Sequence, residues 1–346
     1  MKLGMVVGYA GRKINLPLDL IREAESLGFD SCWTSEAYGP DAISVSAWIL
    51  AHTTKLRVGT AILQMPARTP TMAAMTAMSL HQLSGGRFIV GLGPSGPQVV
   101  EGWYGASYAR PLSRLHEYID IMRAVFARQA PVQYDGFHYQ LPYRGEGATG
   151  LGKPLKSILY CEEKIPIYTA SLQHKAVSLS AEIADGFFPI WLNPEKPELF
   201  AAPVKEGLAK AGNGKSLRDF DIAPFVAVVM GDDVQLCRDL VKPQMALYIG
   251  GMGARGKNFY TTYAAQLGYA DAATKIQDLY LEGKKAEAAA LVPDQLVDDV
   301  ALIGPKERIR ERLQAWIAAG KEHQVGTMIL GALQPEALRV VAEAVL

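Results

Sequence analysis

Cysteine is scarce in this chain. Its 346 residues hold only Cys32, Cys161 and Cys237, odd in number and without a CxxC pair, which argues against a disulfide framework or a thiolate metal site. The six histidines are dispersed, and none stands in an HxH or HExxH spacing, so no metal is expected. A GxSxG elbow for a serine hydrolase is missing too. Neither sign of charge is in excess: Lys+Arg and Asp+Glu number 35 each, for a formal net charge of zero. The basic surplus that nucleic acid or an anionic membrane requires is therefore absent. No window approaches the roughly 18 uninterrupted apolar residues of a membrane span. The amino-terminal apolar run is too short for a signal peptide before Asn15 and Asp19 interrupt it. The expectation is a cytoplasmic protein acting on a small molecule, with no nucleic-acid partner and no membrane insertion.

What is present is a rhythm. Short Val/Ile-rich runs recur at residues 2–8, 29–35, 56–63, 87–92, 165–170, 186–191, 222–229 and 325–330. Most are continuous rather than alternating, as strands buried on both faces should be. Helical patterns lie between them. Thr69-Pro70 reads as a cap followed by proline at the first helical position, and Gly85-Gly86 closes that helix. Leu115, Ile119, Met122 and Phe126 line one side of the fourth helix. Eight strand–helix pairs predict one α/β domain over residues 1–346, a (β/α)8 TIM barrel with right-handed crossovers. An open doubly wound sheet is the competitor. Two insertions break the rhythm: residues 131–160 after strand four, with an alternating stretch at 132–139, and residues 250–300 between strands seven and eight. The second is mostly helical and opens on a glycine-rich, basic, aromatic loop at 250–260.

A barrel builds its active site at the carboxyl ends of its strands. That rule selects residues 34–38, 60–64, 91–97 and 170–173. Glu36 is an acid at the end of a buried strand, where it either faces the site or pairs with a cation such as Arg12 or Arg57. The glycines of 91–97 let backbone approach a ligand, although a Gly/Pro loop is by itself more often a turn. Ser171 either caps the helix that starts near His174 or belongs to an amide fan that holds a phosphate; capping is the commoner reason for such a serine. His81 and His116, inside helices, read as structural.

At these same segments the chain resembles the luciferase-like flavin and deazaflavin oxidoreductases over essentially its whole length, and within them the branch dependent on coenzyme F420. The stretches that carry the resemblance are Ser35-Glu36-Ala37-Tyr38-Gly39-Pro40-Asp41, Val58-Gly59-Thr60-Ala61-Ile62, GLGPSGPQVVEGWYG (91–105) and IGGMGARGKNFY (249–260). The resemblance implies coenzyme F420 as cofactor, with FMN the alternative, and a homodimer packed through helices around 43–51 and 72–84. It implies a cis Ala61–Ile62 peptide under the ring, with Gly93, Pro94, Ser95 and Gly96 along the ring and its side chain. Ser171, Leu172 and Gln173 would reach the phosphate, and Arg255 and Lys257 an anionic oligoglutamate tail. Several F420-dependent dehydrogenases of this kind carry a histidine after the acid of strand two, with a tryptophan beyond. Here Ala37 and Tyr38 stand instead, which leaves Glu36 and Tyr38 as the catalytic candidates, with Glu101 behind them. Trp103 and Tyr104 read as pocket or packing aromatics. The implied activity is hydride transfer to or from a small or medium organic substrate. The rivals are an FMN-dependent monooxygenase and a binding protein without catalysis.

Overall fold

The structure, a computed structural model, describes residues 1–8 and 12–346. Its frame is a curled parallel sheet. Eight strands carry it: β1 (Lys2–Val7), β2 (Ser31–Thr34), β3 (Arg57–Thr60), β4 (Phe88–Gly93), β5 (Ile167–Ala170), β6 (Gly186–Phe188), β7 (Phe225–Met230) and β8 (Thr327–Gly331). Each falls within or against one of the eight runs read from the sequence. After each comes a helix: α1 (Leu18–Ser26), α2 (Ala42–His52), α3 (Pro70–Leu83), α4 (Pro111–Ala127), α5 (His174–Ile183), α6 (Glu198–Ala211), α7 (Val234–Ala246) and α8 (Pro335–Val345).

The strands pair in the order β6-β5-β4-β3-β2-β1-β8-β7, so sequence neighbours are sheet neighbours. A doubly wound sheet would reverse direction at its centre, and this one does not. Just before β7, Asp221–Ile222 pairs with β6, while Phe225–Met230 pairs with β8. Between β4 and β5 lies a two-stranded antiparallel hairpin, Tyr134–Asp135 with Gln140–Leu141. Between β7 and β8 run several short helices and Leu302–Gly304, which adds to β7.

Two cores result. The larger packs the outward strand faces against the helices. The smaller fills the inside of the curl with Trp33, Ile89, Tyr168, Phe188, Ala223 and Ile329. Its rings sit edge-on or tilted, with Trp33 5.0 Å from Phe188 and 5.3 Å from Tyr168 between centroids. Two glycines make room for it. A Cβ on Gly59 would lie 2.3 Å from the Trp33 ring, and one on Gly91 would lie 1.8 Å from the Thr60 carbonyl oxygen and 2.9 Å from Phe188. At the amino-terminal end the plug turns polar. The Tyr168 hydroxyl donates to Asp221 Oδ2 at 2.8 Å, Thr327 Oγ1 donates to the same oxygen at 2.6 Å, and Arg57 pairs with Asp30. In a barrel that end serves stability.

Candidate functional site

At the other end the burial loosens although the residues stay apolar. Val6, Ala61, Ile62, Ala170 and Phe225 pack on top of the aromatic plug and are only half-buried. They belong to the carboxyl ends of β1, β3 and β5 and to the start of β7, so they form a shallow apolar floor at the mouth of the curl. The Ala61–Ile62 peptide is cis, as the resemblance implied. Beyond it Leu63–Gln64 pairs with β4, placing Gln64 opposite Gly93. Gly93 lies flush against Ile62, whose Cδ1 would be 2.2 Å from an added Cβ. The structure thus brings Ala61, Ile62 and Gly93 together. Pro94, Ser95 and Gly96 continue from β4 half-buried, Ser95 with a left-handed φ of 62°, and Gly96 starts the short helix Pro97–Gly102.

Glu36 is buried, 5% exposed, and its carboxylate is fully engaged. Oε1 accepts from the Ala42 amide at 3.1 Å and Oε2 from the Gln64 amide at 2.8 Å. Arg68 grips both oxygens, Nη1 on Oε2 and Nη2 on Oε1, each at 3.0 Å. The cation is therefore Arg68, not Arg12 or Arg57. Arg57 is taken by Asp30, and Arg68 lies at the end of the turn that follows strand three. Sequence reasoning passed over Arg68. The signal was there, since a buried acid needs a nearby cation and Arg68 is the first one after the strand-three segment.

Tyr38 is 72% exposed, with its ring 6.5 Å from Trp103, so the loop after β4 leans over the exit of β2. Glu101 is exposed on the short helix. Tyr104 is half-buried; burial and the charge of Glu36 raise the pKa of its hydroxyl, against the Arg68 charge. Gln64 is also new. Its Nε2 donates to the Glu36 carbonyl at 3.0 Å, which fixes the amide, and its Oε1 is buried without a hydrogen-bond partner.

Ser171, Leu172 and Gln173 lead from β5 into α5. Ser171 does not cap that helix: its hydroxyl pairs with Ser180 Oγ at 2.6 Å, and Gln173 holds the cap position without a side-chain hydrogen bond. The first-turn amides of α5 thus have no side-chain cap, at a helix end that favours negative charge. Arg255 and Lys257 are exposed on the loop between β7 and β8. Arg255 Nε pairs with Asp278 at 2.6 Å, while Lys257 makes no ion pair among the described residues. That loop is firmly built: buried Asn258 donates to the carbonyls of Tyr248 and Ile249 and accepts from the amides of Tyr260 and Thr261. Trp191, just past β6, stacks on Tyr263 and holds the loop to the rim.

Chemically, the mouth offers a flat apolar floor, a wall of backbone, one orphaned acceptor and an uncapped helix end. No group of three or more His, Cys, Asp or Glu among the described residues could hold a metal. Such a surface suits a planar heterocycle with an anionic tail. A groove of about 600 Å³ lies elsewhere, on the outer flank between α4, α5 and α6.

Comparison with known proteins gives the family and the fold. The sequence model of the luciferase-like monooxygenases matches residues 4–323. A Mycobacterium tuberculosis protein named as a coenzyme F420-dependent oxidoreductase is 44% identical over 329 residues, 94% of this chain and 95% of that protein. Among solved structures, the coenzyme F420-dependent tetrahydromethanopterin reductase of Methanopyrus kandleri superposes with a TM-score of 0.78 at 19% identity, covering 99% of this chain and 98% of that one. The oxygenating constituent of 3,6-diketocamphane monooxygenase from Pseudomonas putida, in complex with FMN, superposes at 0.66 with 16% identity, covering 100% and 97%. At those identities the two structures speak for the fold alone.

Proposed function

Because this chain belongs to the luciferase-like monooxygenase family, we propose that it is a coenzyme F420-dependent oxidoreductase that moves a hydride between the deazaflavin and a carbon of a small or medium organic substrate. The observation that carries this reading is the half-buried apolar floor of Val6, Ala61, Ile62, Ala170 and Phe225, set beside Gly93 at the mouth. The name borne by the 44%-identical relative supports the choice of cofactor.

We read the curled sheet as a closed (β/α)8 barrel forming one domain over 1–346. The chain after β4 and the chain between β7 and β8 are its insertions. In support, the Ile222 carbonyl accepts from Gly326 while Ala223 donates to Phe187, so the chain before β7 touches both of its neighbours. The proposed location is the cytoplasm. The proposed assembly is a homodimer through α2 and α3, where Trp48, Met72 and Met75 are about half exposed.

The residues fit a deazaflavin. Ala61 and Ile62 would support the central face of the ring, and Gly93 through Gly96 its edge and side chain. The orphaned Gln64 Oε1 would accept from a ring N–H. The amides of α5 would meet the phosphate, with Ser171 orienting that turn through Ser180 and Leu172 and Gln173 alongside. Lys257 and the outer nitrogens of Arg255 are candidates for the tail. When bound, the deazaflavin supplies the hydride chemistry, and the protein supplies position and electrostatics. Glu36, with both oxygens occupied, acts here as a positioning residue that ties the exit of β2 to the turn after β3. Proton handling then falls to Tyr38 or to a neighbour such as Tyr104.

The monooxygenase reading has one observation in its favour, the likeness in fold to an FMN-bound oxygenase. Oxygen separates the two. Reduced F420 incubated with the protein and a panel of carbonyl, enone and imine acceptors should be reoxidised under nitrogen. Consumption only in air, with oxygen entering the product, would overturn the hydride reading.

A further inference from the structure

Two aromatic side chains stand in water at the mouth. Tyr38, two residues past Glu36 on the exit of β2, is 72% exposed, and Trp103, just past the short helix Pro97–Gly102, is 65% exposed. Their rings lie 6.5 Å apart between centroids at an interplanar angle of 55°, a contact that leaves most of both side chains bare. Each rests on a fixed segment. The Glu36 carboxylate ties the β2 exit to the Gln64 amide, and Val100, 1% exposed, anchors the short helix. The chain leading to that helix starts at Gly93, flush with Ile62 of the floor. Tyr104, next to Trp103, is close enough to Glu36 and Arg68 for both charges to act on its hydroxyl. The pair therefore belongs to the rim beside the apolar floor, and exposed aromatic rings gathered beside a cleft mark a contact surface.

The charges around the pair narrow what can rest on it. Residues 35–41, 61–68 and 94–105 make up the exits of β2, β3 and β4, and their only charged members are Glu36, Asp41, Arg68 and Glu101. Arg68, the single cation of these segments, is closed on Glu36 and lies 3.8 Å from Asp41 as well. Asp41 Oδ1 in turn accepts from the Ser44 amide at 2.8 Å. Glu101 is exposed and makes no ion pair among the described residues. A carboxylate or phosphate brought to this wall would find no free cation and would face Glu101. A flat uncharged ring meets no such repulsion and covers apolar surface that water otherwise wets.

We propose that Tyr38 and Trp103 determine specificity in the hydride transfer, and that the substrate presents to them a flat, uncharged aromatic or conjugated ring. Trp103 supplies the larger face and Tyr38 the second. Glu101 turns away analogues whose ring carries a carboxylate or phosphate. This rests on the F420 reading and deepens it by naming the class of substrate.

The test pairs 2-acetonaphthone with 2-naphthoate, the same ring bearing a neutral or an anionic group, titrated calorimetrically into protein saturated with oxidised F420. In the wild type the ketone should bind roughly two- to fivefold tighter than the carboxylate, the range of one exposed charge pair. Trp103→Ala should weaken the ketone roughly two- to tenfold, the range of one aromatic contact, and Trp103→Phe should recover most of the loss. Glu101→Gln should narrow the preference for the ketone. F420 affinity and melting temperature should stay at wild-type values in all three variants. Equal or tighter binding of 2-naphthoate, or a ketone affinity untouched by Trp103→Ala, would overturn the assignment. So would the appearance of a single 37.5 kDa particle in Trp103→Ala where the wild type is a dimer, because a second copy would then be what covers the pair. A wild type that does not take up F420 fails the cofactor reading, whereas one that takes up F420 without preferring the ketone fails this proposal alone.

Discussion

Glu36→Gln separates positioning from proton transfer most cleanly. In the wild type two backbone amides and two guanidinium nitrogens converge on this carboxylate at 2.8–3.1 Å. The substitution keeps the shape but removes the charge from a pair whose arginine side chain is only 18% exposed. It also turns an NH2 toward one of the four donors. Breaking a buried pair from one side costs about 3–5 kcal/mol. Unfolding entropy of about 2.1 cal/mol/K per residue over 346 residues gives about 0.7 kcal/mol/K. The melting temperature should therefore fall by about 4–7 °C, readable by scanning fluorimetry or calorimetry. Arg68→Met should produce a drop of similar size, and the double variant should lose less than the two singles combined. A proton-transfer role predicts the reverse pattern: an unchanged melting temperature and turnover down about 10²–10⁴-fold. That pattern would refute the assignment of Glu36 to positioning.

Three further outcomes follow from other contacts. Gly91→Ala places a Cβ 1.8 Å from the Thr60 carbonyl oxygen, backbone that cannot swing aside, so soluble expression or cooperative unfolding should be lost. Lys215 lies against the carbonyls that end α5, and burial lowers its pKa from 10.5 to about 8. Between those values the unfolded chain binds more protons than the fold, so stability should rise with pH from about 8 to 10.5. Lys215→Met should flatten that rise in urea melts taken across the window. Light scattering at micromolar concentration should return twice the 37.5 kDa chain mass, and a single 37.5 kDa particle would contradict the dimer.

The strands were legible because burial on both faces leaves continuous Val/Ile runs, and eight such runs find eight strands in the structure. The cis Ala61–Ile62 bond was legible only through resemblance, since no local propensity marks it. The partner of Glu36 was not legible: Arg68 lies 32 residues away, and only the pairing of β2 with β3 brings it close. Of the two readings open for Ser171, capping and phosphate contact, the structure removes capping, for a related reason. Its partner, Ser180, sits nearly two turns along α5 and faces back toward β5 only once the helix packs. The orphaned oxygen of Gln64 could not be seen in sequence at all, because an unmet hydrogen bond is a property of packing.

The central claim is the cofactor, and direct binding tests it without knowledge of the substrate. Coenzyme F420 and FMN titrated side by side into the same protein, by calorimetry or fluorescence quenching, should differ at least tenfold in favour of F420, a gap of about 1.4 kcal/mol. Equal affinity, or tighter binding of FMN, would contradict the account and move the protein to the flavin-dependent monooxygenases.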